Sequence, residues 1–101
     1  MTITRHEWWL ATLGHTLIWA RLGVREAGTA EVLDSDGNTL GYDSEDTARA
    51  ALMDAEFVAF EGLDEDDALR RGFSLHDVAP PHGESDAALR AQMVQPLGGR
   101  A

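Results

Sequence analysis

Residues 4–22 read TRHEWWLATLGHTLIWARL, and their interpretation determines which elements the chain forms first. Wound as one continuous helix, this segment is apolar on every side of its axis, which is typical only of a fully buried helix. If the helix ends at Gly14, the apolar residues on the two sides of the break no longer have to be buried around one helix. We therefore predict a short helix over Arg5–Leu13, begun by a capping box in which Thr4 and Glu7 bond each other's backbone N–H groups. One continuous helix remains the alternative, because short apolar runs are ambiguous.

Three strands are predicted after the break. Thr16–Leu22 is rich in β-branched and aromatic residues, which favour a strand. The stretches Thr29–Asp34 and Thr39–Tyr42 flank the turn-forming sequence Ser-Asp-Gly-Asn at 35–38. An Asp-Gly pair between two short β-like runs is a strong hairpin signal. The sequence therefore predicts a three-stranded antiparallel meander.

Two helices are predicted to follow the meander. Ser44 suits the cap of the first, in which small apolar residues recur at helical spacing. Asp64 suits the cap of the second, Glu65–Arg71, which Gly72 ends in a left-handed conformation. The predicted fold class is α+β: a short N-terminal helix, a three-stranded antiparallel meander, then two helices packed on one face of the sheet.

The domain organisation is predicted from the turn formers near the C-terminal end. Pro80 and Pro81 mark a boundary in the sequence. We expect one globular α+β domain over residues 1–79, because the length and the hydrophobic content of 44% fit an ordinary core. Residues 80–101 are predicted to form a tail with a short helix at 86–94.

The charge of the chain is strongly negative and unevenly placed. Eighteen acidic residues oppose eight bases, all arginine, which gives a formal net charge of −10. Between Asp43 and Asp67 the acids face a single base, Arg49. Binding to a nucleic-acid backbone needs a basic stripe that neutralises several phosphates, and this sequence has none. Direct nucleic-acid binding is therefore not expected.

The acidic segment predicts a surface that attracts basic groups. We expect a small acidic protein-interaction module that docks a basic partner, in one version an inhibitor or immunity-type protein whose carboxylates replace phosphates in an enzyme's cleft. On the predicted helix Trp8 and Trp9 lie about 100° apart and cannot both be buried, so Trp8 is predicted as an exposed anchor. The predicted partner-binding residues are Asp43, Asp54, Glu56, Glu61, Asp64, Glu65, Asp66, Asp67 and Trp8.

Two alternatives stay open. The first is a divalent-metal site for calcium, since Asp34, Asp36, Asn38 and Glu45 follow part of the spacing of an EF-hand loop. Thr39 stands where that loop needs glycine, however, which favours a plain hairpin turn. The second alternative is an acidic face that only keeps the chain in solution.

Other classes of function are disfavoured by what the sequence lacks. No serine lies in a nucleophile-elbow setting and no glycine pattern cradles phosphate, so we expect no enzyme and no cofactor. The loop with His76, Asp77, His82 and Glu84 is interpreted as solvated, and no metal site is predicted. The apolar run at 8–20 is too short to span a membrane, and cysteine is absent. We expect a cytoplasmic protein, either a monomer or a weak homodimer, without a membrane segment.

Overall fold

The computed structural model describes residues 3–75 and 78–96. Within these residues the elements are six strands, three α-helices and a 3₁₀ turn at Phe60–Gly62. The strands are β1 (Ile3–Leu13), β2 (Thr16–Arg25), β3 (Ala30–Leu33), β4 (Thr39–Tyr42), β5 (Val58–Ala59) and β6 (Val94–Pro96). The helices are α1 (Glu45–Asp54), α2 (Glu65–Arg70) and α3 (Asp86–Arg90).

The strands form one antiparallel sheet in the order β4-β3-β2-β1-β5, and β6 pairs with β2 beside β3. The structure thus combines α and β elements but is dominated by strands. The predicted order of N-terminal helix, three-stranded meander and two helices is therefore wrong.

The predicted N-terminal helix is the long strand β1. Trp9 is buried against one face of the sheet and Leu10 against the other, as the two-residue period of a strand requires. A segment that is apolar on every side fits a sheet covered on both faces. The predicted capping box does not form, because Thr4 Oγ1 donates to the Val24 carbonyl and Glu7 accepts the indole N–H of Trp9.

A two-residue turn, Gly14-His15, joins β1 to β2. Leu13 pairs with Thr16 across it, and Gly14 has a φ of 62°. Glycine at this first central position suits a type II′ turn, whose twist matches that of the flanking strands. The break that the sequence shows at Gly14 is therefore a hairpin turn between two strands.

The helices cover opposite faces of the sheet, so the prediction that two helices pack on one face is also wrong. Side chains alternate along β2: Ala20 and Leu22 join a core with Ala48 and Leu52 of α1, which defines the α1 face. Leu17 and Trp19 point the other way, into a core that includes α2 and α3 and defines the α2 face. Both faces of β2 are apolar, and each needs its own cover.

The C-terminal segment packs on the α2 face. Leu89 of α3 and Met93 lie in that core, and the Met93 carbonyl accepts the backbone N–H of Trp19. Strand β6 then pairs with Thr16–Ile18 of β2. The helix predicted at 86–94 spans Asp86–Arg90, capped by Ser85.

No helix in the two described ranges is both long enough and apolar enough to cross a membrane.

Candidate functional site

A half-open pocket of about 310 Å³ lies where β5 leaves β1. Glu7, Trp8, Arg49, Ala59, Glu61 and Gly62 line it. Glu7 and Trp8 are consecutive in a strand, so their side chains point to opposite faces of the sheet. A pocket that contacts both must therefore reach around the outer edge of β1, the edge opposite β2.

The pocket exists because β5 is very short. Ala59 pairs with Trp9 and Val58 with Leu10, after which the chain turns into the 3₁₀ turn. The Phe60 ring packs against Trp19 with their centroids 5.2 Å apart, which draws the chain toward the α2 face. Among residues 3–75 and 78–96, no strand pairs with the outer edge of β1 at 3–8.

On the α1 face the wall of the pocket is part of a network of charges, which it joins through Glu7 and Arg49. Glu45 accepts from Arg5 at 2.8 Å and from Arg49 at 2.7 Å, and Glu7 pairs with the same two guanidinium groups. The hydrogen bond from Arg5, with that from Arg49 second, holds the pKa of Glu45 below its ordinary value. In return, the hydrogen bond to Glu45 raises the pKa of Arg5.

Trp9 anchors this network to the sheet. Its indole N–H donates to Glu7 at 3.2 Å, and the Arg49 guanidinium lies over its ring, 5.7 Å from the centroid. Two positive and two negative side chains, Arg5, Arg49, Glu7 and Glu45, thus compensate one another. This wall carries no net charge.

Trp8 and Glu61 also line the pocket, Trp8 from the α2 face. Trp8 is half-buried and meets Trp19 edge-on, with their ring centroids 6.0 Å apart. Glu61 is exposed and makes no hydrogen bond or ion pair with any described residue. Among the described residues that line the pocket, the one charge without a partner is therefore the Glu61 carboxylate.

The structure brings together two of the predicted partner-binding residues, Trp8 and Glu61. Trp8 is not the fully exposed anchor that a helix would present, because a strand directs it toward the α2-face core while its neighbour Trp9 enters the other. Its remaining exposed surface lines the pocket. The sequence patterns gave no reason to place Trp8 near Glu61.

The other predicted residues are divided by the sheet. Asp43, Asp54 and Glu56 are exposed around α1, which covers one face, whereas residues 64–67 belong to α2 on the other face. Asp64 caps α2 by accepting the Asp67 N–H at 2.8 Å, and Asp67 pairs with Arg70.

Glu65 also has a structural partner, because it accepts from Ser74 Oγ at 2.9 Å and from the Leu75 N–H at 3.0 Å. Asp66 is exposed. The acidic residues therefore do not form one continuous helical face.

Glu7 and Arg49 are site residues that sequence reasoning missed. The sequence predicts a helix-capping role for Glu7, and Arg49 stands out only as the single base among the acids between Asp43 and Asp67. Once 3–13 is a strand, Arg5 and Glu7 fall on the same face at a spacing of two residues. This two-residue spacing of opposite charges was the sequence signal that could have identified Glu7.

Two of the carboxylates considered for calcium, those of Glu45 and Asp34, are engaged by other groups. Glu45 is engaged by two arginines, and Asp34 Oδ1 accepts the N–H groups of Asp36 and Asn38 within the hairpin turn. Among the residues that the structure describes, no group of three or more His, Asp or Glu side chains is arranged to hold a metal ion. His76 and Asp77 lie outside the described residues.

Comparison with protein-family models, with curated proteins and with solved structures finds no match to this chain.

Proposed function

We propose that this chain is a protein-interaction module that binds a basic partner at the pocket on the outer edge of β1. The observation that carries the proposal is that one concave site is lined both by Trp8 and by Glu61, whose carboxylate has no partner among the described residues. Tryptophan is enriched among the residues that contribute most to binding energy at interfaces. An arginine or lysine side chain fits this pair, since the carboxylate meets its charge and the indole face attracts cations.

The remaining charges of the pocket favour the same ligand. Arg49 already meets Glu7 and Glu45, so it offers no uncompensated positive charge to an anion. The formal charge of −10 adds a long-range field that speeds the approach of a basic molecule and repels phosphate. In this proposal the exposed acids around α1 and α2 steer the partner, and the pocket holds it.

The proposal is one of binding rather than catalysis, in a cytoplasmic protein that is a monomer or a weak homodimer. An inhibitor or immunity-type role is its most specific version, with the basic partner's nucleic-acid cleft as the target. The absence of cysteine suits a reducing compartment. A calcium-binding role receives no support from the geometry, because the carboxylate of Glu45 is held by two arginines.

The test uses a basic probe of defined sequence and a matched pair of variants. The acetylated and amidated pentapeptide Thr-Arg-Val-Arg-Thr is titrated into the ¹⁵N-labelled protein, and amide shifts report its affinity. Glu61→Gln should weaken binding roughly two- to fivefold, the effect of one partly exposed ion pair. Glu84→Gln makes the same change of charge at an exposed residue before α3. It should leave the affinity equal to that of the wild type within experimental error.

Equal effects of the two variants would show that only the overall charge attracts the peptide. Absence of binding at low salt would leave the acidic surface with a solubilising role alone, and the proposed function would fall.

A further inference from the structure

The proposed function leaves open how a partner chain would lie in the pocket, and the strand beside it gives an answer. We propose that the outer edge of β1 at Ile3–Glu7 receives an extended segment of the basic partner as an added antiparallel or parallel strand, with a basic side chain entering the pocket. This inference rests on the proposed function.

The hairpin geometry shows which backbone groups of β1 are available. In a two-residue hairpin the residues that flank the turn, here Leu13 and Thr16, form the first hydrogen-bonded pair, and such pairs then alternate along the strands. Between Arg5 and Leu13, where the register is unbroken, odd-numbered residues of β1 therefore bond β2. Even-numbered residues turn their N–H and C=O groups to the outer edge, where Leu10 pairs with Val58.

His6 has the same orientation as Leu10, but no strand in residues 3–75 or 78–96 lies opposite it on the outer edge. Its side chain is exposed, and its only strand neighbour among the described residues is Gly23 of β2. Unpaired backbone groups of this kind are a template for another chain. Peptide recognition by strand addition uses such an edge for affinity and a neighbouring pocket for selectivity.

The pocket lies in line with this edge. Strand β5 occupies the edge only at Trp9 and Leu10, and the pocket opens at Glu7 and Trp8, at the C-terminal end of the free segment. A strand added along residues 3–7 would therefore bring its side chains beside Trp8 and Glu61. The alternate side chains of the added strand would lie on the α1 face, beside Glu7 and Arg49, whose charges compensate each other.

Charge selects a basic chain over a second copy of this one. Two copies would each carry a formal charge of −10 and would place their Glu61 carboxylates near a shared edge. A basic segment meets no such repulsion.

The experiment compares three forms of the same pentapeptide, Thr-Arg-Val-Arg-Thr, against the wild-type protein. One form is unmodified, one is N-methylated at both arginines, and one is N-methylated at valine. Methylation keeps the charge but blocks backbone pairing along one edge of the peptide or the other. The readouts are the affinity from NMR titration and the hydrogen-exchange rate of the His6 amide.

Strand addition predicts that one methylated form binds like the parent and that the other loses roughly tenfold, the loss of one to two hydrogen bonds. The His6 amide should exchange more slowly when the parent peptide is bound. Equal affinity of all three peptides would overturn strand addition while leaving the proposed function intact. Failure of all three to bind would overturn both. A further outcome is that the His6 amide exchanges slowly without peptide, at a rate set by the protein concentration. That result would assign the edge to a second copy of the chain and would overturn the inference.

Discussion

Replacing Met93 by alanine should destabilise the fold by about 3 kcal/mol, because its side chain is completely buried. Met93 packs in the α2-face core with Trp19 and Leu89. Removing its three outer heavy atoms loses roughly 2 kcal/mol of transfer free energy, at about 0.8 kcal/mol for each methylene, and the cavity left behind adds about 1 kcal/mol. In a domain of this size, such a loss lowers Tm by roughly 12–24 °C.

Val94 provides the matched control, since it is the next residue and its side chain is 51% exposed. Val94→Ala should change the free energy of unfolding by about 0.5 kcal/mol or less. Equilibrium urea denaturation followed by tryptophan fluorescence measures both variants, because Trp19 lies in the affected core. If Met93→Ala were as mild as Val94→Ala, residues 86–96 would not be part of the folded core, and the reasoning would be refuted.

Two further predictions concern a buried donor and an ion-pair network. The indole N–H of Trp19 is buried without a hydrogen-bond partner among the described residues, so Trp19→Phe removes an unsatisfied donor together with some volume. We expect it to cost less than about 1.5 kcal/mol, against about 3–5 kcal/mol for Trp19→Ala, and equal losses in urea denaturation would contradict this account. The pKa of Glu45 is lowered, chiefly by its hydrogen bond from Arg5, so its contribution to stability is present above the ordinary value of 4.5 and is lost as pH falls through the lower folded value. Glu45→Gln should therefore lose less stability than the wild type between about pH 5 and pH 3, and parallel pH profiles from thermal denaturation would show that the network contributes nothing.

Local chemistry made several elements predictable from the sequence. The side chain of Ser44 accepts the Thr47 N–H at the start of α1, and Asp64 does the same for Asp67 in α2. Gly72 has a φ of 96°, which fits the predicted end of that helix. Each of these signals depends on residues within a few positions of one another. Such contacts form in the same way whatever the rest of the chain does.

The first strand could not be predicted on the same basis. Thr4 and Glu7 match a capping box by spacing, yet Thr4 bonds Val24 across the hairpin. Glu7 pairs with its near neighbour Arg5 and with Arg49, which lies 42 residues along the chain. The adjacent tryptophans conflict with one helix, but they agree with a strand only if both faces of the sheet are covered. That condition depends on distant helices, so tertiary packing decided the secondary structure of the segment.

The short strands and the pocket were beyond sequence reasoning for a related cause. Strand β5 has two residues and β6 has three, too few to show any periodicity. The pocket depends on where β5 stops, so it joins Glu7, Arg49 and Glu61 from three separate stretches of the chain. The acidic composition predicts only the sign of the proposed partner's charge, whereas the proposed place of contact depends on where β5 ends.

The pairing of β6 with β2 also has a consequence for the order of folding. The β1–β2 hairpin needs only residues 3–25, whereas the ladder between Thr16–Ile18 and Val94–Pro96 closes a loop of most of the chain. Contacts of such long separation form late, because loop closure must be achieved before they stabilise anything. During synthesis, the edge of β2 at Leu17 would thus stay unpaired until residue 96 has left the ribosome. A chaperone that covers β2 in that interval would protect the chain from pairing with its neighbours.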